Sequence, residues 1–232
     1  VAIAADVQSG IDGVLAPPWD ERDGSVVPKT EDIALTNGAV NLEATYLYAD
    51  MADSTGLAQN YKKFAVAKIV RCYLNAASRL INHYGGEIRS FDGDRVMGIF
   101  VGGRKNTNSV RCALAISWAV SQVINPKIKE KWSDVTWTMD HGVGIDTGDA
   151  MLVRGGVRGD NDIVSIGSAP NVAAKLSEQR AYGINISADV HDQILDEVKL
   201  GPKGENMWWK AGTANFSGKV VTFYGSSWYW SP

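Results

Sequence analysis

The run TYLYAD at residues 45–50 limits most tightly what this chain can become. β-Branched and aromatic side chains packed this densely belong in a buried strand, where successive residues face opposite ways. Tyr46, Tyr48 and Asp50 therefore share one face. A carboxylate closing such a strand needs a partner that neutralises it, and a metal ion is one answer. Capping the helix that follows is the other.

Downstream of Ser54-Thr55 the spacing of Tyr61, Phe64, Ala65, Ile69, Cys72, Ala76 and Leu80 predicts a helix from Leu57 to Tyr84, ended by Gly85-Gly86. Strands Glu87–Phe91 and Arg95–Val101 follow, joined around Asp92-Gly93 as a hairpin. A helix from about Thr107 is expected to stop before Pro126. Val135–Ile145 and Ala150–Arg154 read as a second hairpin, Asn171–Arg180 as a helix, and Ile184–Ser187 and Val220–Tyr224 as strands. Residues 1–40, broken by Pro17-Pro18 and Pro28, read as an irregular arm lying against one domain of residues 41–232. This order predicts an α+β fold with helices covering one face of a mostly antiparallel sheet.

At 232 residues, 45% apolar and 21% charged, the chain can bury a full core. A net charge of −3 argues against a nucleic-acid partner or a charged membrane surface. No apolar run reaches membrane-spanning length, and Asp6 follows Val1–Ala5 too soon for a secretory leader. Cys72 and Cys112 sit in helical stretches, so two buried thiols and a cytoplasmic location are expected. His83, His141 and His191 are too scattered for a zinc site, and there is no phosphate-binding P-loop pattern.

The chemistry gathers in three segments. FDGDRVMGIF sets Asp94 just past a hairpin tip, where its carboxylate can meet that of Asp50 if the two strands pair. Two such carboxylates suit a pair of divalent ions about 3.5–4 Å apart, which activate an attacking oxygen and stabilise a leaving one. In IGSAPNVAAKLSEQR, Asn171 and Lys175 are four apart and share a helix face. An amide and an ammonium so placed can hold a ribose and offset charge on a phosphate; an N-cap and a solvated lysine are the plainer alternatives.

In this order YADMADST, FDGDRVMGIF, HGVGIDTGDA and IGSAPNVAAKL resemble the catalytic domain of class III nucleotide cyclases, from about Tyr46 to Ser187. The resemblance implies a ferredoxin-like α+β core working as a homodimer with composite sites. It implies two divalent ions, Mn2+ or Mg2+, on Asp50, Asp94 and the Met51 carbonyl. Asp53, Ser54 and Thr55 would cradle phosphates through backbone N–H groups. Asn171 would orient the ribose, and Arg158 and Lys210 fall near positions where the family offers cations to a triphosphate.

Departures from the family are informative. Lys175 stands where purine cyclases carry an arginine, keeping the charge without the fork. Ser90 and Val164 stand where adenylate cyclases place the lysine and aspartate that read adenine. A pocket lacking those groups is expected to read purines poorly. Tyr48 can limit ring size, and Arg95 has only donors to offer a base, which favours the carbonyls of uracil over the amino group of cytosine. Strand alternation, however, turns Arg95 away from Asp94. YADMADS and the terminal GSSWYW also resemble the stand-alone pyrimidine cyclases of bacterial Pycsar antiphage systems. Those enzymes make cyclic UMP or cyclic CMP for a cyclic-nucleotide-activated effector. The resemblance thus implies a uridylate cyclase acting on UTP. The alternatives are a cytidylate cyclase, an atypical adenylate cyclase, or an inactive nucleotide-sensing dimerisation module.

Overall fold

The computed structural model describes residues 2–216 and 218–232. The chain runs α1 (Ala2–Leu15), β1 (Asp20–Gly24), β2 (Gly38–Met51), α2 (Ser54–Asn60), α3 (Lys63–His83), β3 (Glu87–Asp92) and β4 (Arg95–Phe100). It continues with α4 (Lys105–Trp118), a π-helical stretch Ala119–Ile124, α5 (Asn125–Lys131), β5 (His141–Val157), β6 (Asp160–Ile166) and α6 (Ser168–Ser177). Strand β7 (Ile184–Ser187), helices α7 (Ala188–Gln193) and α8 (Asp196–Lys199), β8 (Trp209–Phe216) and β9 (Lys219–Ser226) complete it. Strand order in the sheet is β3-β4-β2-β5-β7-β9-β8, with β1 on β2 and β6 on β5. Among the described residues only β1–β2 and β5–β7 are parallel. An α+β fold with a mostly antiparallel sheet is what the sequence pattern predicts.

TYLYAD is the end of the central strand. Leu47, Ala49 and Met51 face Ile69 and Tyr73 of α3 and Val110 and Leu114 of α4. The alternate set, Leu42, Ala44 and Tyr46, faces Ala169 and Ala173 of α6. Helices therefore cover both faces, not one as expected. The seat of α6 is glycine: a Cβ on Gly144 would lie 2.0 Å from the Ala173 carbonyl oxygen and 2.2 Å from the Ser177 nitrogen. Both are backbone atoms and cannot move aside cheaply. Gly144→Ala is accordingly expected to cost about 3 kcal/mol, read as a lower urea midpoint with an unchanged slope.

Other expectations are corrected by tertiary contacts. The single helix Leu57–Tyr84 is two, α2 and α3, because Tyr61 and Lys62 are extended. The Tyr61 hydroxyl accepts from the Trp137 backbone N–H at 3.2 Å, so a packing contact overrides the helical spacing. Helix α3 buries Ala65, Ile69, Tyr73, Ala77 and Leu80, leaving Phe64 and Cys72 exposed. Only Cys112 is a buried thiol, and burial pushes it well above the usual range. Helical structure continues past Pro126, which sits in the first turn of α5 after the π-helical stretch, where its missing N–H is tolerated.

The expected Val135–Ile145/Ala150–Arg154 hairpin is instead one 17-residue strand, β5. Thr147 to Asp149, turn-like in sequence, pair with Glu43 to Thr45 of β2, and the real hairpin partner of β5 is β6, unforeseen like β8. Residues 1–40 are not irregular throughout: α1 is helical, and β1 extends the sheet along the start of β2. Among the described residues no helix is long and apolar enough to cross a membrane.

Candidate active site

Asp50 ends the buried face of β2, opposite Arg95 on β4 and Gly142 on β5. It is only 8% exposed, and two guanidinium groups answer its charge. Arg180 Nη2 donates to Oδ2 at 2.7 Å, and Arg95 Nε stands 3.4 Å from Oδ1. Asp50 accordingly forms a charged pair rather than capping α2; the N-cap of that helix is Asp53.

Asp94 follows Gly93, whose φ of 61° makes the tight turn between β3 and β4. Its Oδ2 is buried and has no hydrogen-bond partner among the described residues. Asp50 pairs with Arg95, the residue after Asp94, so the two aspartates lie at the same end of the sheet. Tyr73 of α3 is raised well above the usual tyrosine range, first by burial and then by the charges of Asp50 and Asp94, with Arg180 opposing. An ionised oxygen left without a partner in such a place is costly. Carboxylate oxygens from two chain segments, one of them unpaired, fit divalent cations that prefer oxygen. The Met51 backbone carbonyl is adjacent in the chain.

The remaining expected residues divide by position. Tyr48 lies two residues before Asp50, opposite Met97, which also faces Ser90 of β3. Burial raises the Tyr48 phenol, and nearby Arg95 offsets part of that rise. Arg95 itself is engaged: besides Asp50, its Nη2 donates to Glu178 Oε1 at 3.3 Å, and Lys175 Nζ reaches Glu178 Oε2 at 3.2 Å. Asn171 and Lys175 share the exposed side of α6, as the spacing predicts. Asn171 is not an N-cap; its Nδ2 donates to the Gly167 carbonyl at 3.0 Å, one turn back. Asp53 is left-handed, at φ 55°, and its carboxylate lies across the first turn of α2 beside Gly56, close to Ser54 and Thr55.

Arg158 and Val164 are elsewhere. Arg158 is in the β5–β6 turn and Val164 pairs with Val153, so both occupy the end of β5 away from Gly142. Fifteen residues of extended strand span up to about 50 Å. Lys210 is exposed on β8, the outermost strand. The sequence reading missed Arg180, Glu178 and Tyr73. The glycines of HGVG, two apart on one strand face, were the available signal for a close-packed neighbour.

Comparisons with known proteins bear on the family and the fold. No protein-family model matches the chain. The uridylate cyclase of Rhodovulum sp. (strain MB263) is 41% identical over 99% of this chain and 98% of its own length. The uridylate cyclase of Burkholderia cepacia is 38% identical over 100% of both. Among solved structures, the adenylyl cyclase CyaB from P. aeruginosa superposes with a TM-score of 0.70, covering 81% of this chain and 95% of that one at 24% identity. The shared fold and the full-length identity lead to one assignment: the chain belongs to the uridylate cyclases, built on the class III nucleotide cyclase fold.

Proposed function

We propose that this chain converts UTP to 3′,5′-cyclic UMP and pyrophosphate in a site organised by Asp50 and Asp94. The observation that supports the proposal is that Asp50 and Asp94, the latter with a buried carboxylate oxygen lacking a partner among the described residues, lie at one end of the sheet with Tyr48 and Arg95. Two divalent ions, Mn2+ or Mg2+, held by Asp50, Asp94 and the Met51 carbonyl, would acidify the ribose 3′-hydroxyl and neutralise the triphosphate. The chain's own groups supply the rest. Asn171 fixes the ribose, so that the 3′-oxygen meets the α-phosphorus in line with the departing pyrophosphate. Lys175 offsets the charge that grows on the phosphoryl oxygens. Backbone N–H groups of Asp53, Ser54 and Thr55 receive phosphate oxygens once the Asp53 carboxylate swings aside, and Arg158, with Lys210, adds positive charge.

Base choice follows from what lines the pocket. Ser90, and Val164 brought from the far end of β5 of a second copy, offer no purine-reading pair. Tyr48 limits ring size, and Arg95, with five N–H donors and two of its nitrogens engaged by carboxylates, donates to a uracil carbonyl. The enzyme works as a homodimer in the cytoplasm, and its product activates an effector protein in antiphage defence.

The test is incubation with ATP, GTP, CTP and UTP in the presence of Mn2+, with products identified by mass spectrometry. Cyclic UMP is expected to dominate. A preference for ATP or GTP defeats the reading, and a preference for CTP defeats the role of Arg95. Tyr48→Ala and Arg95→Ala are each expected to lower kcat/KM for UTP by about a hundredfold. Melting temperatures measured alongside should fall by only a few degrees, separating a pocket defect from unfolding.

A further inference from the structure

The shorter of the two contacts to Asp50 comes from Arg180, to which the proposed reaction gives no role. We propose that Arg180 is a positioning residue that holds Asp50 in the nucleotide-free enzyme, yields it to the incoming metal, and so sets the affinity of the site for that metal. The inference rests on Asp50 being a metal ligand, as proposed above.

Three observations support it. First, access is built into the fold. Arg180 lies three residues beyond the end of α6 and reaches Asp50 across Gly142, where a Cβ would stand 2.4 Å from its Nη1. Any residue but glycine there would meet the guanidinium and, at 2.1 Å, the Ser177 carbonyl oxygen. Second, Asp50 Oδ2 accepts from Arg180 at 2.7 Å, so a cation approaching that oxygen meets a positive charge already seated on it and must compete with the guanidinium. Third, the two arginines are held differently. Arg95 is anchored by Glu178, itself paired with Lys175, whereas Arg180 has no carboxylate other than Asp50 within ion-pair distance among the described residues. Its side chain is also 37% exposed, so it can leave toward solvent or an arriving triphosphate. Arg180 is thus the exchangeable cation of the pair and Arg95 the resident one. Without Arg180 a largely buried carboxylate would wait for its metal with one weak partner, which is an unstable arrangement.

The experiment is Mn2+ titration of the nucleotide-free protein, following free Mn2+ by electron paramagnetic resonance, for wild type, Arg180→Gln, Arg180→Lys and Asp50→Asn. Arg180→Gln is expected to bind Mn2+ about tenfold more tightly than wild type, because the competing charge is gone. Arg180→Lys, which keeps the charge but loses the fork, should fall between them. General damage to the fold loosens a metal site, so tightening is not an outcome a merely structural role produces. Melting in EDTA and in Mn2+ adds a second readout: Arg180→Gln should melt lower than wild type in EDTA and recover when Mn2+ is added. Unchanged or weaker Mn2+ binding by Arg180→Gln, with binding lost in Asp50→Asn, overturns the role of Arg180 and leaves the metal site standing. Wild-type binding by Asp50→Asn overturns both.

Discussion

Asp50→Asn and Asp94→Asn are each expected to lose at least about a thousandfold in UTP turnover, since what disappears is electrostatic stabilisation of the reacting groups rather than packing. Their effects on stability should differ, and the difference is diagnostic. Asp50 is answered by Arg180 and Arg95, so Asn there leaves two partly exposed cations with a weaker acceptor. The Arg180 side chain is 37% exposed, and solvent screening holds the cost to about 1 kcal/mol. Asp94 has one buried carboxylate oxygen with no partner among the described residues, so Asn removes a charge that no neighbouring cation pairs with there. Asp94→Asn should therefore be as stable as wild type in EDTA, or slightly more so, while losing activity. Steady-state turnover at saturating Mn2+, with urea denaturation of the metal-free proteins, checks both halves. Near-normal turnover in either variant would sink the assignment of the two aspartates.

What the sequence made legible is what depends on local periodicity. The alternation in TYLYAD places Tyr46 on the α6 face with Tyr48 and Asp50 as its same-face neighbours, and the Asp-Gly turn puts Asp94 at a strand start beside them. The three-to-four spacing in IGSAPNVAAKL gives α6 an exposed side carrying Asn171 and Lys175. The misses have a common cause: they were decided by packing between segments distant in the chain. Gly148 looks like a turn but lies within β5, because β2 supplies a paired neighbour along the whole length of that strand. Tyr61 breaks a periodic helix because Trp137 holds its hydroxyl. Arg180 reaches Asp50, 130 positions away, because Gly142 leaves room. Arg95 was read as turning away from Asp94, and it does pair across strands with Asp50 instead.

Recovery of activity on mixing two dead variants is the other large effect expected. In one chain Asp50, Asp94, Tyr48, Ser90 and Arg95 gather at one end of the sheet, whereas Arg158 and Val164 occupy the far end of β5. If all of them serve one substrate, a second copy must bring its far end to the first copy's aspartates, and a twofold axis then creates two equivalent sites. Under that arrangement Asp50→Asn and Lys175→Ala are each inactive alone, because every site in either homodimer carries the defect. If Lys175 reaches each site from the partner subunit, a heterodimer has one site with both defects and one with neither. At equal mixing and free exchange half the dimers are heterodimers, so activity should return to about a quarter of wild type. The competing arrangement is specific too: within its own chain Lys175 is linked through Glu178 to Arg95 and so to Asp50. No recovery, once exchange is verified by mass spectrometry of differently tagged subunits, would assign Lys175 to its own protomer's Asp50 and end the case for a shared site.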